Sequence, residues 1–91
     1  MKKKDYQELF DEILKLETEE ECEKFFADLC TINEWDAMLQ RIKAAKMLLA
    51  DKTFQEVTAA TKISSATLAR ISKCIKYGDG GYKEILEKKK K

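Results

Sequence analysis

Apolar residues recur along this chain at intervals of three and four, and no proline interrupts them in 91 residues. A half-buried strand would need a period of two, and no β-branched alternation is present, so the pattern admits an all-α fold. Six helices can be read. The first carries Tyr6, Leu9, Phe10, Ile13 and Leu14, with Asp5 as its expected N-cap. The second carries Cys22, Phe25, Phe26, Leu29 and Cys30. The third, from about Ile32 to Ala50, has Trp35, Met38, Leu39, Ile42, Ala45, Leu48 and Leu49 on more than one face, which makes it the expected central and most buried element. A short fourth helix runs from Phe54 to about Ala60, and a fifth begins after Ser64 and ends at Tyr77, where Gly78 stops it. Asp79 is the expected cap of a last helix holding Tyr82, Ile85 and Leu86.

Helix starts have a chemical signature of their own. Thr18 with Glu21, Thr31 with Glu34 and Thr53 with Glu56 each have the spacing of a capping box. In such a box the hydroxyl accepts from one free backbone N–H and the carboxylate from another.

Several classes of chemistry are excluded by what the chain lacks. With no histidine, neither a Ser-His-Asp nor a Cys-His arrangement can be built, and the commonest ligand of catalytic zinc is missing. All three glycines lie between Gly78 and Gly81, so no phosphate-cradling Gly-rich loop precedes a helix. Cys22, Cys30 and Cys74 match neither a zinc pair nor a disulfide framework and read as reduced, buried small hydrophobes. No catalytic residue, metal site or cofactor is expected, and the chain is not read as an enzyme. The acidic residues that follow Lys2, Lys3 and Lys4 leave no apolar signal segment, and the longest uncharged apolar run is Met47 to Ala50. A cytoplasmic protein with no membrane partner is expected.

A net charge of +1 conceals a division. Up to Asp36 there are 5 lysines against 12 acids, a balance of −7; from Ala37 onward 13 Lys and Arg face 5 acids, a balance of +8. A basic half of this kind suits a polyanion, and an acidic half stays away from it.

The basic half contains the most informative stretch. From Thr53 to Tyr77 a capped short helix, a brief turn and a longer capped helix outline a helix-turn-helix. Phe54, Val57 and Ala60 in its first helix, Ile63 in the turn, and Leu68, Ile71 and Ile75 in its second helix are the positions expected to pack the two together. Opposite that stripe stand Ala66, Ala69, Arg70, Lys73 and Tyr77, a basic face with short residues near the helix start. Short residues let a helix enter the major groove closely, alanine methyls meet thymine methyls, and an arginine addresses guanine or phosphate. Ser64 and Ser65 offer hydroxyls and free amides to a phosphate, with Lys62 and Lys76 near the backbone. The expected interface with double-stranded DNA is therefore Lys62, Ser64, Ser65, Ala66, Ala69, Arg70, Lys73 and Lys76. The plainer alternative is a helical protein-interaction module without specific DNA binding.

Leu29-Cys30-Thr31, Arg41, Leu48-Leu49, Thr53-Phe54-Gln55-Glu56-Val57, Ala66-Thr67-Leu68-Ala69-Arg70 and Tyr77-Gly78-Asp79-Gly80-Gly81-Tyr82 resemble the TrpR-related YerC/YecD family of the Trp repressor superfamily over nearly the whole chain. The resemblance implies a six-helix Trp-repressor-like fold, an intertwined homodimer and a DNA-binding transcriptional regulator. It divides a single domain of residues 1–91 into dimerisation helices (1–50), helix-turn-helix (53–77) and a C-terminal helix with a basic tail (79–91). A dimer also agrees with the amphipathic first helices and the all-round apolar third, which present more apolar surface than so short a chain buries alone.

In the Trp repressor two arginines and threonines hold tryptophan, and Thr31, Arg41, Thr67 and Arg70 look like their counterparts. The residue after the second arginine is glycine there and Ile71 here. An isoleucine side chain fills space that an indole needs, so tryptophan is not expected as a ligand. The chain also has Lys62 where helix-turn-helix units often place a glycine, which implies either a different turn or a left-handed lysine costing roughly 1 kcal/mol. The terminal lysines, Lys88 to Lys91, read as a frayed tail attracting phosphate without specificity.

Overall fold

At Thr18, Thr31, Thr53 and Ser64 a threonine or serine hydroxyl takes up one of the free amide groups of the helix that follows. The computed structural model describes residues 3–88, and the expectation for the last three lysines lies outside them. Six α-helices follow a short 3-10 turn, Lys3–Tyr6: α1 (Gln7–Ile13), α2 (Glu19–Leu29), α3 (Ile32–Leu49), α4 (Phe54–Thr61), α5 (Ser65–Tyr77) and α6 (Gly81–Leu86). No strand occurs among the described residues.

Two of the three expected capping boxes close. Thr31 Oγ1 accepts from the Glu34 amide at 3.2 Å while Glu34 Oε1 accepts from the Thr31 amide at 2.8 Å. Thr53 and Glu56 do the same at 3.1 and 3.0 Å. At α2 the Thr18 hydroxyl accepts from the Glu21 amide at 3.1 Å, but the Glu21 carboxylate reaches past Thr18 to the Glu17 amide at 2.8 Å. That box is therefore open by one residue, and it ties down the chain entering the helix instead.

Asp5 is not the cap of α1. It lies inside the 3-10 turn, and Tyr6 occupies the N-cap with no side-chain hydrogen bond. Asp79 does not cap α6 either, because Gly80 takes that position in the left-handed region, φ 87°. Gly78 does end α5, by a route other than the left-handed stop. Its backbone is extended and its amide donates to the Cys74 carbonyl; a Cβ there would lie 3.0 Å from Cys74 Cα and closer still to its carbonyl oxygen.

The chain forms two compact units, Met1–Trp35 and Asp36–Lys91. The division falls within one residue of the change in charge sign. In the first unit the Trp35 indole N–H donates to the Phe26 carbonyl at 2.9 Å, and the Phe25 and Phe26 rings meet edge to face with centroids 5.8 Å apart. No residue of α1 or α2 is buried, and Leu14 is 79% exposed. The cysteines are free, as expected, but none is buried: Cys22 is exposed, and Cys30 and Cys74 are partly so.

In the second unit Ala44, Ala45, Val57, Leu68 and Ile71 form the core, with Met47, Leu48, Ile63, Ile75, Tyr82 and Leu86 packed against it. Only Ala44 and Ala45 of α3 are buried, while Ile32, Met38, Leu39 and Ile42 are exposed. The expectation that α3 is the most buried element is thus corrected, since α4 and α5, though shorter, bury as many residues each. The small residues Ala44 and Ala45 of α3 join Val57 of α4 and Leu68 and Ile71 of α5 in the core, whereas the larger apolar side chains of α3 keep much of their surface exposed.

Candidate nucleic-acid interface

Helices α4 and α5 are held together by side chains that the sequence pattern identifies in part. On α5 the expected stripe is buried, with Leu68 at 0% and Ile71 at 2% exposure and Ile75 packed against the core. On α4 the inward residues are Val57 and Thr61, whereas Phe54 and Ala60 are exposed. The three-residue spacing of Phe54, Val57 and Ala60 therefore misplaces the inner face, which follows the four-residue step from Val57 to Thr61.

The turn between the helices has the left-handed geometry in spite of its lysine. Lys62 has φ 58° and ψ 19°, and its amide donates to the Thr58 carbonyl at 3.0 Å. A side chain in that conformation costs roughly 1 kcal/mol relative to glycine, so the strain is present and is held by its surroundings. Thr61 is buried, donates its hydroxyl to the Val57 carbonyl at 2.8 Å and accepts from the Ile63 amide at 3.3 Å. Sequence reasoning passed over Thr61. A threonine four residues after Val57 and one before the non-glycine turn position was the available signal.

Ser64 is the N-cap of α5. Its hydroxyl accepts from the Thr67 amide at 3.1 Å and donates to Thr67 Oγ1 at 2.9 Å. The hydroxyl proton of Ser64 is thus engaged within the chain, which leaves Ser65 and the first backbone amides of α5 as the donors facing outward. Lys62, Ser64, Ser65, Ala66, Ala69, Arg70, Lys73 and Lys76 are all exposed, and Tyr77 is 81% exposed. With Leu68 and Ile71 buried inward, Ala66, Ala69, Arg70, Lys73 and Lys76 share the exposed side of α5. A face of this composition attracts phosphate through its charge and approaches base edges through its short side chains.

Thr31 lies in the first unit, and its hydroxyl caps α3. Arg41, Thr67 and Arg70 line a cleft of about 220 Å³ together with Ile71, Cys74 and Tyr82. Ile71 walls that cleft while its side chain packs into the core.

The one titrating group displaced from its ordinary range among the described residues lies at the start of α4. The Thr53 amide, with help from the Thr53 hydroxyl and Lys52, holds the Glu56 carboxyl below the usual carboxylate value.

Comparison with known proteins agrees with this architecture. Residues 4–90 match the Trp repressor protein family. The chain is 40% identical to the uncharacterized protein YerC of Bacillus subtilis (strain 168) over 87 residues, covering 96% of this chain and 84% of YerC. Among solved structures, a candidate Trp repressor from Staphylococcus aureus superposes with a TM-score of 0.84 at 41% identity, covering 89% of this chain and 81% of that one. A TrpR-like protein from Eubacterium eligens ATCC 27750 superposes with a TM-score of 0.86 at 37% identity, covering 92% and 87%.

Proposed function

The chain belongs to the Trp repressor family, and from that premise we propose that it is a sequence-specific DNA-binding transcriptional regulator, a repressor, that acts as a homodimer through α4, the turn and α5. The observation that carries the proposal is the division of α5. Leu68 and Ile71 are buried, while Ser65, Ala66, Ala69, Arg70 and Lys73 stand exposed together on the other side. That side enters the major groove, Arg70 reads a base, Lys73 meets phosphate, and Lys62 and Lys76 flank the backbone. No catalytic group, metal or cofactor enters this reading.

The homodimer is supported by the exposure of large apolar side chains. Leu14, Leu29 and Ile32 in the first unit, and Met38, Leu39 and Ile42 on α3, are all exposed. A second copy would bury them, as an intertwined dimer does, and would present two recognition helices to a near-palindromic site with half-sites about one helical turn apart. No helix among the described residues is long and apolar enough to cross a membrane. The proposed place of action is the cytoplasm, where DNA is met directly.

Selection of bound sequences from a random duplex pool, followed by titration in rising salt, tests the proposal. A preferred near-palindrome with affinity falling steeply as salt rises is expected. Equal and weak binding of all duplexes would favour a protein-interaction module instead.

A further inference from the structure

Glycine is the inexpensive residue at a left-handed turn position, yet the chain places Lys62 there and exposes its side chain. The backbone at Lys62 is bracketed by the residue before it. The Thr61 hydroxyl has one proton and two acceptor directions. It gives the proton to the Val57 carbonyl in the last turn of α4 and accepts from the Ile63 amide beyond Lys62. Ile63 is itself half-buried against the core, and a half-buried amide without an acceptor is unfavourable. Burial alone would be served equally by valine, which has the same shape. A buried hydroxyl satisfied on both sides does something further, because it selects one backbone geometry over its neighbours.

We propose that Thr61 is the positioning residue of the helix-turn-helix: through the Val57 carbonyl and the Ile63 amide its hydroxyl fixes the left-handed backbone at Lys62, and so fixes the direction from which α5 and the Lys62 ammonium meet a duplex. The inference rests on the DNA-binding reading above. Thr61 touches no nucleotide in this account, since its side chain is buried. It acts by holding the turn at one angle, and discrimination between base sequences depends on that angle more than bulk attraction to phosphate does.

The test compares Thr61→Val, Thr61→Ser and the double variant Thr61→Val with Lys62→Gly in the full-length chain. Two quantities are read: exchange of the Ile63 amide by NMR, and affinity for the selected duplex against a shuffled duplex of equal length. Thr61→Val is expected to lose Ile63 protection and to weaken the selected duplex by about tenfold or more, with affinity for the shuffled duplex changed by less than about twofold. Thr61→Ser should restore both readouts, and Lys62→Gly in the valine background should recover part of the discrimination, because glycine adopts the left-handed backbone unaided. Should Thr61→Val not fold, the double variant carries the comparison with Thr61→Ser. A folded Thr61→Val with wild-type discrimination, or one that weakens both duplexes equally, would overturn the proposal. If the wild-type chain prefers no duplex, it is the DNA-binding reading that fails, and the Ile63 exchange pattern alone then decides whether the hydroxyl holds the turn.

Discussion

The hydroxyl of Ser64 is bonded twice to the same residue, accepting from the Thr67 amide at 3.1 Å and donating to Thr67 Oγ1 at 2.9 Å. The pair fixes the first turn of the proposed recognition helix and takes up the one proton that Ser64 could have offered to a phosphate.

The two serines at the start of α5 should therefore respond differently to replacement. Ser64→Ala is expected to lower stability by about 1 kcal/mol, the usual cost of a lost N-cap. Ser65→Ala should leave stability nearly unchanged and weaken all duplexes alike. Thermal unfolding combined with binding to selected and shuffled duplexes separates the two; equal stability losses would contradict the assignment.

Acid should weaken the start of α4 through Glu56. Its carboxyl is held below the ordinary value of 4.5 by the Thr53 amide, then the Thr53 hydroxyl and Lys52. A folded-state pKa that is depressed contributes stability above the unfolded value, and that contribution is lost as pH falls through the folded one. The melting temperature of the wild-type chain should thus drop more between pH 5 and pH 3 than that of Glu56→Gln, which cannot ionise. Parallel pH profiles for the two proteins would remove the capping box from the account of acid stability.

Free tryptophan should neither bind appreciably nor change affinity for DNA. Ile71 walls the cleft beside Arg41, Thr67 and Arg70, and the Thr31 hydroxyl is committed to capping α3. Calorimetric titration checks this, and binding in the micromolar range would contradict it. Ile71→Gly is a poor route to affinity, because it empties a core position and places glycine inside α5, which costs about 1 kcal/mol in helix propensity alone.

Sedimentation equilibrium near micromolar concentration should show a species of twice 10.5 kDa. The uncovered Leu14, Ile32 and Leu39 are the reason. A monomer alone at that concentration would remove the homodimer from the proposal and leave those side chains without an explanation.

The helices were legible because their pattern is local. Spacing of three and four placed all six, and Ser64 and Gly78 gave the limits of α5 as they stand, since a cap and a tight stop are each readable from one residue and its neighbours. Less local features escaped. Asp5 and Asp79 have the right side chains for caps, but a 3-10 turn and the left-handed Gly80 decide where those helices begin. Thr61 was passed over because a threonine inside an apolar helix reads as neutral; what marks it is the fate of the Ile63 amide, which depends on how the turn closes. The outward face of α5 was legible in full, since fixing Leu68 and Ile71 inward determines by helical geometry which residues point away.

The central claim is that α5 reads sequence through Arg70, and the most direct measurement is the affinity of wild-type, Arg70→Ala and Lys73→Ala chains for the selected duplex and its single-base variants across a salt series. Arg70→Ala is predicted to weaken the selected site by about 1–3 kcal/mol per half-site and to relax preference at one base position. Lys73→Ala is predicted to weaken all sequences similarly and to flatten the salt dependence by about one unit per lost phosphate contact. A folded wild-type chain with no preferred duplex, and an Arg70→Ala variant with unchanged affinity, would contradict the claim.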